Sequence, residues 1–260
     1  MKWIVYLSTL FFLGCTSLNS TSPFLSDSHF QPIRIDAEIP LKGMIHQTLS
    51  RETLYVFIEG DGHAWIRHNT PSLDPTPKTP TGWHIASRSF KNDCLYLTRP
   101  CQYLEDKERS VCTQDDWTNG RYSQKLVDLL NRSIEHVKVK NGYQKIVIGG
   151  YSGGGTMAML IALKRSDVKE IITVASPIDI DQWTKFHQVT SLEGSLNPAD
   201  TIDKLSQIKQ RHYIGKKDNT VPLGLVQKTV MSYPPNSPVE VVAVEGLDHK
   251  MEGFRIPFSD

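Results

Sequence analysis

Residues 147–160, VIGGYSGGGTMAML, constrain what this chain can fold into more than any other stretch. An apolar run with the character of a buried strand meets a serine set among glycines. Small and apolar residues then continue as a helix would. A serine in so tight a strand-to-helix turn has two uses. The turn brings backbone amides against a nucleotide's phosphates, or it lifts the Ser152 hydroxyl clear of the backbone for attack. Gly150-Tyr151-Ser152-Gly153-Gly154 fits the second pattern, G-x-S-x-G. Positions two before and two after such a serine crowd neighbouring backbone, and Gly150 and Gly154 have no Cβ to clash. A helix beginning just after Ser152 also aims its first amides at a developing oxyanion.

The phosphate-binding alternative rests on Gly153-Gly154-Gly155-Thr156-Met157-Ala158, which matches G-x-G-x-x-A. That fingerprint requires an acid at the end of the next strand, about 20 residues on. The next apolar run instead ends in Val174-Ala175-Ser176-Pro177, and Asp179 lies beyond it. No Lys-Ser or Lys-Thr pair makes it a phosphate loop. A nucleotide cofactor is therefore not expected, and no other cofactor is implied.

The rest of the chain alternates between strand and helix signals. LYVFIEG (54–60) reads as a strand ended by a Gly-Asp-Gly turn. A Pro- and Trp-containing loop over 69–83 leads to the strand-like CLYLTR. Residues 122–140 show helical spacing, with Leu126, Val127, Leu129, Leu130, Ile134 and Val137 apolar. KIVIG, EIITVAS, HYIG and VEVVAV follow as short apolar strands, separated by a helix over GGTMAMLIALKR and one opened by Pro222. This order predicts an α/β fold, a mostly parallel sheet with helices on both faces and no large lid domain. Pocket shape is expected to depend on the loops 61–83 and 179–200.

A serine nucleophile needs a base and an acid, in the chain order Ser, acid, His. Asp218 follows the HYIG strand in Lys216-Lys217-Asp218-Asn219-Thr220-Val221-Pro222, and His249 follows the last strand in Glu245-Gly246-Leu247-Asp248-His249. Taken singly, such an Asp is an ordinary helix cap and such a His an ordinary surface residue. All three after strands and in order point to one crevice at the sheet's C-terminal edge.

GYSGG, GKKDNTVP and EGLDH, in this order, resemble the α/β-hydrolase family over roughly residues 54–252. More narrowly, VFIEGDGHAW, DPTP, LTRPCQY, GYSGGG and GSLNPAD resemble uncharacterised bacterial α/β-hydrolase lipoproteins, which bring no established substrate. The resemblance implies Ser152 as nucleophile, Asp218 as acid and His249 as base. It implies an oxyanion hole from the amide of Gly153 and one from the early strand's end. There Glu59 stands where the family often has histidine, Gly60 matches, and Asp61 or Gly62 supplies the amide, with Asp61 preferred. The implied activity is hydrolysis of a small acyl substrate, a carboxylic ester by default. Thioesters, amides and acyl transfer stay open, and a non-enzymatic lipoprotein using the fold as a binding scaffold is the alternative.

The N-terminus, MKWIVYLSTLFFLGC, has one lysine and an apolar run too short to span a bilayer. Phe12-Leu13-Gly14-Cys15 resembles the bacterial lipoprotein signal, in which the cysteine becomes the lipidated first residue. A signal peptide over 1–14, lipidated Cys15 with a Ser- and Thr-rich tether to residue 32, and a single domain over 33–260 are expected. The chain would then be lipid-anchored in the bacterial envelope, at the outer membrane and facing either periplasm or surface. Export leaves Cys94, Cys101 and Cys112 in an oxidising compartment. Cys94 and Cys101 are separated by an extended run, whereas Cys101 and Cys112 flank a polar loop able to fold back, so a Cys101–Cys112 disulfide with Cys94 a buried thiol is expected.

Lys and Arg number 29 against 28 Asp and Glu in 260 residues, which leaves no global field to draw nucleic acid. The histidines show no H-E-x-x-H or Cys-His zinc spacing, and Asp179-Ile180-Asp181 lacks the glycine and glutamate of a calcium loop, so no metal is expected. Trp183 and His187 are four apart, on one helical face, and His63 and Trp65 follow the oxyanion strand as candidate pocket walls.

Overall fold

A computed structural model describes residues 29–258 apart from 49 and 68. The signal segment, Cys15 and the tether up to residue 28 lie outside the described residues.

The chain opens with an antiparallel pair, β1 (Gln31–Ile35) and β2 (Leu41–His46). β3 (Thr53–Ile58) enters the sheet centre and is followed by a two-stranded ribbon, β4 (Trp65–Arg67) and β5 (Thr70–Pro71), and by helix α1 (Thr81–Ser89). Then come β6 (Cys94–Leu97), the single turn α2 (Asp106–Arg109), α3 (Gln124–Asn141), β7 (Lys145–Tyr151) and α4 (Gly153–Ala162). The chain continues through β8 (Val168–Val174), α5 (Ile180–His187), α6 (Ile202–Leu205), β9 (Lys209–Gly215), α7 (Leu223–Val230) and β10 (Val239–Val244). Eight strands form one sheet in the order β1-β2-β6-β3-β7-β8-β9-β10, parallel from β6 to β10 and antiparallel at β1 and β2.

Alternation along the central strands turns both faces into core. Val56 and Ile58, Leu95 and Leu97, Ile146 and Ile148, and Ile171 pack into one cluster with the apolar sides of α3, α4 and α7. Their neighbours Phe57, Tyr96, Val147 and Ile172 point the other way, to a second cluster with Trp83 and Ile85 of α1. Among the described residues the second face carries one helix, α1. Phe30 and the non-helical segment after β10, through Met251, Phe254 and Ile256, add to its cover. All ten residues of α4 are buried, so the helix that starts at Ser152 is locked between sheet and α3. α3 buries Leu126, Val127, Leu129, Leu130, Ile134 and Val137 and stops at Gly142, whose φ of 77° suits glycine at a helix end.

Two boundaries differ from the sequence reading. β1 begins at Gln31, so the last two residues assigned to the tether, Gln31 and Pro32, are sheet residues paired with Ile45 and Met44. Pro32 sits on an edge strand, where its missing N–H breaks no ladder. The second difference is α1, which starts inside the segment read as loop. Pro80 offers no side-chain cap; the first amides of α1 are instead satisfied from a distance by Glu59. A cap 23 residues upstream is invisible to local pattern.

Cys101 and Cys112 are joined by a disulfide with a Cα–Cα distance of 6.2 Å, closing the segment that carries α2, and Cys94 is a buried free thiol in β6. Among the described residues no helix is long and apolar enough to cross a membrane.

Candidate active site

The side chains of the site hang from the C-terminal ends of β3, β6, β7, β9 and β10, which all open on one edge because these strands are parallel. Ser152 follows β7 with φ 49° and ψ −127°, a backbone state ordinary side chains rarely occupy. The turn is held from both sides. The Ser152 amide donates to Val174 O at 2.8 Å, and Gly155 N donates back to Ser152 O at 3.0 Å. A Cβ on Gly150 would lie 2.3 Å from the Gly154 carbonyl carbon, and one on Gly154 2.2 Å from Ile58 O. No side chain fits either place.

His249 reaches the serine from the loop after β10. Its Nε2 is 3.2 Å from Ser152 Oγ, and its Nδ1 is 2.9 Å from Asp218 Oδ2. Asp218 is fully enclosed, and its other oxygen accepts from the amides of Thr220 at 2.8 Å and Val221 at 2.7 Å. Those two bonds fix the carboxylate rotamer, so its free oxygen faces the imidazole. The Tyr151 hydroxyl donates to His249 O at 3.0 Å, and the two rings lie 5.4 Å apart. The loop therefore sets both the position and the tilt of the imidazole. A carboxylate on Nδ1 favours the Nδ1–H tautomer and leaves Nε2 as the acceptor for a hydroxyl proton.

The loop after β3 runs directly over the serine: a Cβ on Gly60 would be 3.3 Å from Ser152 Cβ. Glu59 turns inward and accepts from Gly60 N at 2.8 Å, Gly82 N at 2.9 Å, Trp83 N at 3.2 Å and Tyr96 Oη at 2.7 Å. Burial raises its carboxyl above the ordinary carboxylate value, against the pull of these four donors. This glutamate ties the loop to the first turn of α1. Among the described residues, neither the Asp61 amide nor the Gly153 amide donates to a protein acceptor. Both remain available beside Ser152.

The Asp61 side chain is the centre of a charge cluster that sequence reasoning missed. Arg99 Nη1 is 2.8 Å from Oδ1, Arg121 Nε 3.3 Å from Oδ2, and the Tyr122 hydroxyl donates to Oδ2 at 3.0 Å. Burial alone would raise the Asp61 pKa, but Arg121 and Arg99 outweigh it and hold the carboxyl below its ordinary value. Burial first, and the Asp61 charge second, push Tyr122 up to about 12, which keeps it a donor. Both guanidinium groups lie over the Tyr122 ring, at 5.1 and 5.7 Å from its centroid. Arg99 stands in LTRPCQY, one of the stretches that carry the family resemblance. Arg121 stands in NGRYS, where no periodicity or motif marks it, and Tyr122, read from its spacing as the start of a helix, lies before α3 begins at Gln124.

A cavity of about 30 Å³ at Ser152 is lined also by Asp61, Arg121, Tyr122, Trp183 and Val221. It shares Asp61, Arg121, Trp183 and Leu192 with a larger cavity of about 420 Å³. The walls come from the two loops expected to shape the pocket, 61–83 and 179–200, and from a third, through Asn119 and Arg121, that was not anticipated. Trp65 lines the cavity and His63 does not. Trp183 Nε1 and His187 Nε2 both donate to Thr220 O, at 2.7 and 2.8 Å, so α5 is clamped onto the loop that carries Asp218.

Strand order, the serine after β7, the acid after β9 and the histidine after β10 together define the α/β-hydrolase fold. Solved structures similar to this chain include Est1E from Butyrivibrio proteoclasticus, at 14% identity over 85% of this chain and 91% of that one, with a TM-score of 0.59. An alpha-beta serine hydrolase homologue from Coxiella burnetii is similar at 18% identity over 86% and 90%, with a TM-score of 0.56. An esterase from Pyrococcus furiosus is similar at 14% identity over 86% and 85%, with a TM-score of 0.59. At these identities the likeness is one of fold. No family model matches the sequence, and no curated protein matches it.

Proposed function

We propose that the protein is a serine hydrolase acting on small acyl substrates, carboxylic esters by preference, through a covalent acyl-enzyme. The observation that carries this reading is His249, which stands 3.2 Å from Ser152 Oγ on one side and 2.9 Å from a fully enclosed Asp218 on the other. In the proposed reaction His249 Nε2 takes the Ser152 proton as Oγ attacks the carbonyl carbon. The amides of Gly153 and Asp61 hold the resulting oxyanion, and the imidazolium returns its proton to the leaving oxygen. Water then repeats the attack on the acyl carbon with the same proton path. Asp218 keeps the tautomer and stabilises the imidazolium. The esterase and serine hydrolase homologue among the similar structures support the same class of chemistry.

The proposal extends to location. Cys15 carries lipid in the bacterial envelope, and the residues between it and β1 tether the domain to the membrane. The test of the chemistry is a fluorophosphonate probe on the mature protein, with the adduct mapped by peptide mass. Labelling at Ser152 that is lost in Ser152→Ala, together with turnover of p-nitrophenyl esters, is the expected result. A folded protein that takes no label overturns the reading.

A further inference from the structure

We infer that the site selects substrates bearing an anionic oxygen group, carboxylate or phosphate, close to the scissile carbonyl, with Arg121 as the residue that recognises it. The inference rests on the hydrolase reading and adds the substrate class.

Arg121 stands at the junction of the two cavities, where its side chain is only 7% exposed. A guanidinium so enclosed requires partners for five N–H donors. The structure supplies few. Its one acidic neighbour is Asp61, met through Nε at 3.3 Å without hydrogen-bond alignment. Asp61 is already engaged by Arg99 at 2.8 Å and by the Tyr122 hydroxyl. Arg99 is spent in turn, its other terminal nitrogen donating to Arg121 O at 2.6 Å. One carboxylate therefore faces two guanidinium groups, which leaves one positive charge in excess beside the serine. Among the described residues, the terminal nitrogens of Arg121 donate to no protein atom, and they are not sealed from the cavity.

The larger cavity continues the same chemistry. Arg67 of the β4–β5 ribbon lines it and has no acidic partner among the described residues. The amide side chains of Asn69 and Asn119 add polar wall, and among the described residues Asp61 is the only acid lining either cavity. Asp218 lines neither cavity and is spent on His249 and two amides. A planar fork with free terminal donors, in an enclosed place whose one acid is already engaged by Arg99 and Tyr122, matches a bidentate oxyanion.

The test compares two esters of equal acyl length, p-nitrophenyl valerate and mono-p-nitrophenyl glutarate, on the mature protein. Wild type is expected to favour the glutarate ester in kcat/KM by about 10- to 100-fold, the range of one charge-assisted hydrogen bond. Arg121→Gln should lose most of that ratio, chiefly through KM. Arg121→Lys, which keeps the charge without the fork, should be intermediate. Arg67→Gln changes an exposed ribbon residue and so serves where Arg121→Gln fails to fold; it should lower the ratio in part. A wild-type preference for valerate overturns the inference, as does a ratio unchanged in Arg121→Gln. Competition by free glutarate alone assigns a carboxylate, competition by inorganic phosphate alone assigns a phosphate, and competition by neither overturns it. Fluorophosphonate labelling of the same preparations reports separately on the hydrolase reading. Should Ser152 take no label, calorimetric titration with glutarate and phosphate still decides the anion site. Binding weakened in Arg121→Gln supports the site, and no binding to wild type overturns it.

Discussion

Asp218 Oδ2 meets His249 Nδ1 at 2.9 Å, although 31 residues of chain separate them and each hangs from the end of a different strand. The pair exists because β9 and β10 are parallel neighbours with their ends in register, Gly215 opposite Val244. If Ser152, His249 and Asp218 act as a unit, their losses will not add. Ser152→Ala or His249→Ala is expected to lower kcat by about 10⁵- to 10⁶-fold and Asp218→Ala by about 10⁴-fold, with the triple variant scarcely worse than the worst single. Steady-state kinetics on one ester checks this. Asp248→Asn, next to His249 in sequence, is the control and should keep most activity; the reverse pattern reassigns the acid.

Gly154→Val is expected to abolish activity although Ser152, Asp218 and His249 are themselves unsubstituted. A Cβ there would lie 2.2 Å from Ile58 O and 2.5 Å from Glu59 O, so the elbow must move away from the end of β3. Probe labelling and a thermal melt, read together, separate this from simple unfolding. Full labelling of Gly154→Val contradicts the account of the turn.

Glu59→Ala should destabilise the fold by about 3 kcal/mol, because it removes the buried acceptor of the Gly82 and Trp83 amides and the Tyr96 hydroxyl. Glu59→Gln keeps acceptor oxygen and volume and should be milder. Urea denaturation of the two variants gives the comparison; equal losses would mean that the charge, not the acceptor, secures α1.

Cys101→Ser and Cys112→Ser should each lower stability by about 2–3 kcal/mol under oxidising conditions, as expected for a short closed loop. The double variant should match either single, because one bond is lost in all three. Under reducing conditions the differences should shrink, and a difference that persists points to packing rather than the disulfide.

His212 gives the fold an acid-sensitive point. It is enclosed in β9, opposite Thr173 of β8, its Nδ1 is 2.8 Å from Thr173 Oγ1, and burial lowers its pKa from 6.5 to about 4. The folded state resists taking the proton that the unfolded chain accepts below pH 6.5, so stability should fall as pH drops from 6.5 towards 4. The loss from this group is on the order of 3 kcal/mol. Above pH 6.5 the group is neutral in both states and contributes no slope. Urea unfolding of His212→Gln at about pH 7 and about pH 4.5 should show a smaller pH-dependent loss than wild type; an equal loss places the acid sensitivity elsewhere.

The elbow around Ser152, the strand and helix order, the positions of Asp218 and His249 and the Cys101–Cys112 loop were all legible in the sequence. These features rest on local constraints. A serine at φ 49° needs small residues within two positions of it, and buried parallel strands show as short apolar runs wherever they stand. The tertiary structure alone decided the rest. Glu59 reads locally as a substitute for a histidine, and only the approach of α1 makes it a helix cap. Pro32 reads as tether until β2 presents an edge to it. Arg121 lies in a polar loop with no pattern and Tyr122 at the edge of a helical pattern, and they come to line the cavity at Ser152 because three loops converge over the ends of β3 and β7 to enclose one acid with two arginines. Enclosure is what gives a charge its cost and its use, and it depends on segments far apart in the chain. No window of sequence contains it.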